Sequence, residues 1–213
     1  MNDTKLVCFD VDDTLISQNS WYVLNLALGM TPEEDLEMYE AYGRGDLSYD
    51  DWTAKLSALY RERGLATREN VTAALSTFKF KEGAEDLVRD LQSKGYEIAL
   101  VSGSFDTLTR ELAQHLGVKY AKGNTTLRFS DTGEFLDIES GGDEIQAKVG
   151  HLENFCNELG IKIEQCVCIG DGANDVEMFK KTGKGITFTD APEHVQAAAW
   201  KTVAQLSDIK EIL

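Results

Sequence analysis

Short apolar runs alternate with amphipathic helical patterns along most of this chain, and this alternation restricts its fold more than any other feature. Continuous apolar runs cover residues 5–9, 97–102, 165–170 and, more weakly, 184–188. Helical patterns cover residues 83–94, 105–116 and about 145–159, and a glycine follows each of them. A turn signal at residues 130–133 predicts a β-hairpin. Strands that alternate with helices form a parallel sheet with helices on both faces, so the sequence predicts an α/β fold.

Residues 15–78 break this alternation. They contain four helical patterns, at residues 20–29, 32–43, 48–63 and 67–77, and no convincing strand pattern. Acidic residues follow Thr31 and Ser48, as is typical of the first turn after a helix cap. A helical block placed directly after the first strand predicts a small second domain, residues 15–78, which is connected twice to a main domain of residues 1–14 and 79–213.

Charge and composition restrict the partners of the protein. The net charge of the 213-residue chain is −16, which disfavours nucleic acid and acidic membrane surfaces because both are themselves negative. No stretch approaches the run of about 18 apolar residues that a membrane helix requires. The N-terminus lacks the layout of a signal peptide, and the four cysteines have neither disulfide nor zinc spacing. We therefore expect a cytoplasmic protein, monomeric or homodimeric, that acts on a small molecule.

Polar residues directly follow three of the predicted strands, at the edge where parallel sheets bind ligands. These residues are Asp10, Asp12 and Asp13 after the first strand, Ser102 and Gly103 after the second, and Asp171, Asn174 and Asp175 after the strand at 165–170. Scattered surface polarity would not favour one edge so consistently. The sequence therefore predicts a ligand site at the carboxyl ends of these strands.

The carboxylates at this edge predict a metal site. Asp10 and Asp12 are two residues apart, so an extended backbone points both side chains the same way. Two carboxylates that close are unfavourable unless a cation lies between them or one is protonated. A hard divalent cation takes oxygen ligands, and Asp171 from another strand could complete the set. Asp175 follows Asp171 by four residues, and lies on the same face if a helix begins there.

The groups after the second strand are suited to an anion. Ser102 and Gly103 precede a predicted helix, where a hydroxyl and free N–H groups can bind phosphate. Lys148 lies in the helix predicted at about 145–159, and its ammonium could neutralise a phosphate oxygen. A lone lysine is more often a solvated surface residue, so Lys148 gains weight only from the groups around it.

Together these motifs resemble the haloacid dehalogenase (HAD) superfamily, and within it the branch that contains phosphoserine phosphatases. The resemblance rests on four segments in order, which are residues 10–14, 101–103, Lys148 and 170–175. It implies a Rossmann-like parallel-sheet core, residues 1–14 and 79–213, with a small helical cap domain, residues 15–78, inserted after the first strand. It also implies a Mg²⁺-dependent phosphatase that acts on a small phosphorylated metabolite.

The resemblance implies a role for each residue of the site. Asp10 would be the nucleophile that forms an aspartyl-phosphate, and Asp12 the general acid that protonates the leaving alcohol and then activates water. The phosphoryl oxygens and the substrate would be bound by Ser102, Gly103, Lys148 and Asn174. The magnesium ligands would be Asp10, Asp12 through its backbone carbonyl, and Asp171, with Asp175 either a further direct ligand or a residue that supports the ligands from behind.

Two positions depart from the phosphoserine-binding pattern of this branch. Asn19 stands where the branch usually has a glutamate that binds the ammonium group of the substrate. Leu56 stands where it usually has an arginine that binds the carboxylate, although Arg61 and Arg63 lie nearby in sequence. The candidate substrates are therefore phosphoserine and, as alternatives, phosphocholine, phosphoethanolamine, histidinol phosphate and sugar phosphates.

Two alternative functions would use the same core. Dehalogenation or phosphonate cleavage is disfavoured because the branches with that chemistry usually lack an acid at the position of Asp12. A signalling module that accepts phosphate without turnover is disfavoured because such modules have a single domain, in which the helical insert has no place. Hydrolysis of a phosphomonoester is the favoured function.

Overall fold

The computed structural model describes residues 3–213, which fold around one central sheet. The strands are β1 (Leu6–Phe9), β2 (Glu97–Phe105), β3 (Tyr120–Phe129), β4 (Phe135–Ser140), β5 (Cys166–Ile169), β6 (Gly185–Phe188) and β7 (Lys201–Val203). The helices are α1 (Ser20–Ala27), α2 (Pro32–Gly43), α3 (Tyr49–Arg63), α4 (Arg68–Leu75), α5 (Ala84–Ser93), α6 (Asp106–Leu116), α7 (Glu144–Leu159), α8 (Val176–Thr182) and α9 (Glu193–Ala198). Short 3₁₀ turns cover Ile163–Gln165, Ala173–Asp175 and Leu206–Glu211. Among residues 3–213, no helix combines the length and apolarity needed to cross a membrane.

The sheet confirms the predicted α/β fold. Its strand order is β4-β3-β2-β1-β5-β6-β7, and its neighbouring strands are parallel except in the β3–β4 hairpin. The edge strand β7 was not predicted, because two of its three residues are exposed and it carries no continuous apolar run. Strand β2 extends three residues beyond the predicted end at Ser102, as far as Phe105.

Strand β1 lies at the centre of the sheet, and its sequence explains why. All four of its residues are fully buried. Val7 and Phe9 belong to one apolar cluster, and Leu6 and Cys8 belong to a second. Because side chains alternate between the faces of a strand, a continuous apolar run suits a strand that is covered on both sides. Parallel pairing with β2 and β5 then brings the ends of all three strands to the same edge.

Helices α1 to α4 form the insert between β1 and α5, as predicted. A capping box starts α2, in which the Thr31 hydroxyl accepts a hydrogen bond from the Glu34 N–H and the Glu34 carboxylate accepts one from the Thr31 N–H. The two connections of the insert run side by side, joined by an antiparallel bridge between Ile16 and Phe80. This pairing positions the insert directly beside the end of β1.

The insert packs against the sheet through an apolar cluster that both parts share. Leu56 of α3 is fully buried and belongs to the same cluster as Phe9 of β1. The centroid of the Trp21 ring in α1 lies 4.3 Å from the centroid of the Phe105 ring at the end of β2. The exact division into residues 15–78 and the remainder stays a prediction.

Candidate active site

The central strands bring the predicted carboxylates together. Phe9 and Ile169 pair at the ends of β1 and β5, and the N–H of Asp10 donates to the carbonyl of Ile169 at 2.8 Å. An aspartate therefore follows each strand at the same edge of the sheet. Asp10 comes directly after Phe9, and Asp171 comes two residues after Ile169. Carboxylate oxygens of Asp10, Asp171 and Asp175 all lie within 4.8 Å of one another. These donors fit a hard divalent cation, which prefers oxygen ligands.

Asp175 reaches this cluster through a tight turn rather than through one face of a helix. Residues Ala173–Asp175 form a 3₁₀ turn, and α8 begins only at Val176. The N–H of Gly172 donates to Asp175 Oδ2 at 3.1 Å. A Cβ atom at Gly170 would lie 2.3 Å from the Asp175 carboxylate, so only glycine at that position lets the side chain fold back.

Lys148 is the cation of the site. Its side chain is fully buried, and its ammonium donates to Asp10 Oδ1 at 2.6 Å and to Asp175 Oδ1 at 2.8 Å. Burial lowers the pKa of Lys148, but the charges of Asp10 and Asp175 outweigh it, so the pKa is raised above its ordinary value. The structure thus rules out a solvated surface lysine and places this charge against the predicted nucleophile.

Burial raises the pKa of two carboxyl groups of the cluster, Asp10 and Asp171. The pKa of Asp10 is raised by burial and by the nearby charges of Asp175 and Asp171, against the opposing effect of Lys148. Burial raises the pKa of Asp171 to about 6, while a hydrogen bond of 2.8 Å from the Thr14 hydroxyl acts in the other direction. A cation bound by these oxygens would favour their ionised forms and so oppose the cost of burial.

Asp12 lies apart from the carboxylate cluster and is held by the insert. Its Oδ1 accepts from the Ser20 N–H at 3.0 Å, and its Oδ2 accepts from the Ser20 hydroxyl at 2.7 Å. The Ser20 hydroxyl is also 2.5 Å from that of Ser104. Burial raises the pKa of Asp12 to about 7, although both Ser20 hydrogen bonds lower it. A carboxyl group with that pKa can donate and accept a proton near neutral pH, as general acid–base catalysis requires.

Ser102 and Gly103 lie beside the cluster, within the last part of β2 rather than after it. The Ser102 hydroxyl is buried and accepts a hydrogen bond from the Ser104 N–H at 3.0 Å. The carbonyl of Gly103 accepts from the Tyr49 hydroxyl at 2.7 Å, which ties helix α3 of the insert to the core. The register of β2 with β3 shifts between Ser102 and Phe105, so this segment departs from a regular ladder.

Glu144 is a site residue that the sequence analysis missed. Its Oε2 accepts a hydrogen bond from Asn174 Nδ2 at 3.0 Å, and its Oε1 accepts one from the Tyr42 hydroxyl at 2.8 Å. A Cβ atom at Gly103 would lie 2.1 Å from Glu144 Oε2, so the carboxylate rests directly on that glycine. The sequence does carry one indication of its role, because Glu144 lies four residues before Lys148 and so on the same face of α7.

Neither Asn19 nor Leu56, the two positions that depart from the phosphoserine-binding pattern, supplies a charged group to the site. The Asn19 side chain caps α1 by accepting from the Tyr22 N–H at 3.0 Å. Leu56 is buried in the apolar core. Arg61 binds the Leu136 carbonyl and Asp137, and Arg63 binds the Gly29 carbonyl and Glu34.

The fold and the site together define a class of hydrolase. An aspartate that follows the central strand of an α/β sheet, with two more carboxylates and a buried lysine around it, has the groups needed to accept a phosphoryl group. The chain belongs to the haloacid dehalogenase-like hydrolase family, whose family model matches residues 4–183.

Similar proteins narrow this class. The chain is 32% identical over 209 residues to a phosphoserine phosphatase of Methanocaldococcus jannaschii, covering 98% of this chain and 96% of that protein. It is also 32% identical over 217 residues to one of Streptococcus thermophilus, covering 100% and 98%. A solved structure of a phospho-aspartyl intermediate analogue of phosphoserine phosphatase matches with a TM-score of 0.80 at 30% identity, over 99% of each chain. The chain is therefore a phosphoric monoester hydrolase of the phosphoserine phosphatase-like branch.

Proposed function

We propose that this protein hydrolyses a small phosphomonoester with the help of Mg²⁺, and that Asp10 carries the phosphoryl group between the two half-reactions. The observation that carries this proposal is the contact of Asp10 with Lys148, next to Asp171 and Asp175. A nucleophile, a fixed positive charge and a set of hard oxygen donors are thereby held at one strand end, which is the minimum that phosphoryl transfer to a carboxylate needs.

In the first half-reaction, an Asp10 oxygen attacks phosphorus and the bond from phosphorus to the ester oxygen breaks. Asp12 has a pKa of about 7 and can therefore hold a proton near neutral pH. It gives this proton to the departing alcohol. Ser102, Gly103 and Lys148 bind the phosphoryl oxygens, and Lys148 offsets the charge that develops on them. Asn174 contacts the substrate.

In the second half-reaction, the Asp12 carboxylate takes a proton from water as the water attacks phosphorus. The acyl-phosphate bond breaks, inorganic phosphate leaves, and the carboxylate of Asp10 is regenerated together with protonated Asp12. Mg²⁺ would be bound by the carboxylates of Asp10, Asp171 and Asp175 and by the Asp12 backbone carbonyl. When bound, it supplies charge neutralisation and orientation of the phosphoryl group.

The substrate of the similar proteins makes phosphoserine the first ester to assay, and Asn19 and Leu56 make other small esters the second group. The helical insert, which contacts Asp12 through Ser20 and Gly103 through Tyr49, closes the site from bulk water. A cytoplasmic location, and a monomeric or homodimeric state, stay predictions of the sequence.

Release of phosphate from an aryl phosphate, measured by a colorimetric assay with and without Mg²⁺, tests the proposal. We expect turnover that depends on Mg²⁺ and is suppressed by a chelator. Folded protein that releases no phosphate with Mg²⁺ present would refute the proposed function. A panel of phosphoserine, phosphocholine, phosphoethanolamine, histidinol phosphate and sugar phosphates then ranks the esters by kcat/KM.

A further inference from the structure

Glu144 places a carboxylate inside the site that the proposed mechanism does not use. It begins α7, while Lys148, four residues later on the same face, reaches the catalytic carboxylates. The Glu144 side chain accepts hydrogen bonds from Tyr42 of the insert and from Asn174 of the core, and it rests on Gly103. It therefore lies where the insert meets the core, beside the groups proposed to bind the substrate.

The described residues leave this carboxylate without an ion-pair partner, although its charge helps to raise the pKa of Lys148. Among residues 3–213, no basic side chain forms an ion pair with Glu144, and the ammonium of Lys148 is directed to Asp10 and Asp175 instead. The arginines of the insert have other partners. Arg44 pairs with Glu40 and Asp46, Arg61 with Asp137, and Arg63 with Glu34. The fourth, Arg68, donates to the Ser130 carbonyl at 3.1 Å and lies over the Phe129 ring.

The surroundings of Glu144 are aromatic on the side of the insert. The Tyr42 ring, whose hydroxyl binds Glu144, stacks on Trp52 at 5.7 Å and meets the Tyr49 ring edge-on at 5.9 Å. Tyr39, on helix α2 with Tyr42, keeps 58% of its surface exposed. Partial desolvation raises the pKa of its hydroxyl, and the charges of Glu144, Asp171 and Asp13 raise it further. An unpaired carboxylate next to aromatic rings is suited to an ammonium group.

We propose that Glu144 is a specificity-determining residue that binds the positively charged group of an amino-alcohol phosphate, and that the substrate carries no carboxylate. This inference rests on the proposed function. The alcohol part of such an ester would carry an ammonium group to Glu144 while its phosphoryl group binds at Asp10. A carboxylate on the same alcohol would meet Glu144 with like charge and, among the described residues of the insert, would find no arginine free to bind it.

Two isosteric esters test this assignment. Phosphoethanolamine and propyl phosphate differ only by an ammonium group in place of a methyl group. We expect the wild-type protein with Mg²⁺ to show a kcat/KM for phosphoethanolamine at least about ten-fold above that for propyl phosphate, the size of a hydrogen-bonded charge pair. E144Q should bring the ratio close to one. E153Q removes the same charge from the exposed side of α7, where Glu153 pairs with Lys181, and should keep the wild-type ratio.

Several outcomes would overturn the assignment. A wild-type ratio near one would do so, as would a ratio that E144Q leaves unchanged. An equal rise in kcat/KM for both esters in E144Q would show that Glu144 only obstructs the site. A kcat/KM for phosphoserine more than ten-fold above that for phosphoethanolamine would show that the substrate carboxylate is bound after all.

Binding of non-hydrolysable analogues separates this inference from the proposed function. Calorimetry with 3-aminopropylphosphonate and butylphosphonate makes the same comparison of ammonium with methyl, without any turnover. We expect tighter binding of the aminophosphonate in the wild type and in E153Q, and equal binding in E144Q. If aryl phosphate is not hydrolysed yet this pattern holds, the proposed chemistry fails; if aryl phosphate is hydrolysed and the two phosphonates bind alike, only the inference fails.

Discussion

Lys148 and Asp10, 138 positions apart in the sequence, form a buried ion pair in which the ammonium lies 2.6 Å from the carboxylate. The pair connects α7 to the end of β1, and Asp175 shares the same ammonium at 2.8 Å. Because the side chains of all three residues are almost fully buried, each charge depends on the others for compensation. Stability and chemistry are therefore coupled at this site.

Loss of the Lys148 charge should destabilise the protein as well as inactivate it. K148M leaves the neighbouring carboxylates without a counter-charge, so we expect the free energy of unfolding to fall by about 3–5 kcal/mol, as for a broken buried pair. Urea unfolding measures this loss. K181M, which breaks the exposed pair with Glu153, should cost no more than about 1 kcal/mol. Equal losses in the two variants would contradict the mutual compensation of the buried charges of Lys148, Asp10 and Asp175.

Replacement of the nucleophile should stop turnover without unfolding the chain. D10N keeps the size of the side chain and an oxygen that can accept from Lys148, but an amide does not attack phosphorus. We expect no phosphate release, and no hydroxylamine-sensitive phosphate on the protein, with the near-ultraviolet circular dichroism retained. D131N makes the same change in an exposed turn and should be fully active. Substantial turnover by D10N would mean that another residue carries the phosphoryl group.

The pH dependence of turnover should report the proton on Asp12. A general acid must be protonated, so kcat for an alkyl phosphate should decrease as the pH rises through about 7, the pKa to which burial raises this carboxyl. An aryl phosphate, whose leaving group needs less protonation, should show a shallower decrease. In D12N, kcat for the alkyl ester should fall by about 10²–10⁴-fold. A flat profile for both esters would remove Asp12 from this role.

Ser20 offers a finer test of the same assignment. Its hydroxyl and its N–H lower the pKa of Asp12 by hydrogen bonding to the ionised carboxylate. S20A removes the hydroxyl, so the decrease in kcat should move to higher pH while the form of the profile is kept. S17A, at an exposed position near the start of the insert, is the matched control. A shift to lower pH in S20A would mean that the serine does not stabilise the ionised form.

Mg²⁺ should stabilise the protein more at pH 8 than at pH 5. Burial raises the pKa of Asp171 to about 6 and that of Asp12 to about 7, so without metal these groups favour the folded state below pH 4 and lose that contribution as the pH rises through 6 and 7. Protons compete with the metal at low pH. At 100 times its Kd, Mg²⁺ should raise Tm by roughly 5–10 °C at pH 8.

Differential scanning calorimetry at the two pH values measures this difference in Tm. D171N removes a proposed ligand and should abolish most of the increase at pH 8. An equal increase at both pH values, or an undiminished one in D171N, would place the cation elsewhere.

The sequence by itself determined the α/β fold and the edge of the sheet that carries the chemistry. A fully apolar β1 has to be buried on both faces, so the residues after it meet those after β5 at one edge, and Asp10 and Asp171 become neighbours. The helices of the insert were predictable for the same reason, because their capping residues and periodicity are local.

Only the tertiary structure decided which side chains complete the site. Glu144 contacts Tyr42, 102 positions away, and Ser20 lies 84 positions from Ser104. No local pattern encodes such contacts, because they depend on how the insert packs against the core. Lys148 shows the same limit, since a lysine on a helix is exposed by default and is buried here only because two carboxylates from other elements neutralise it.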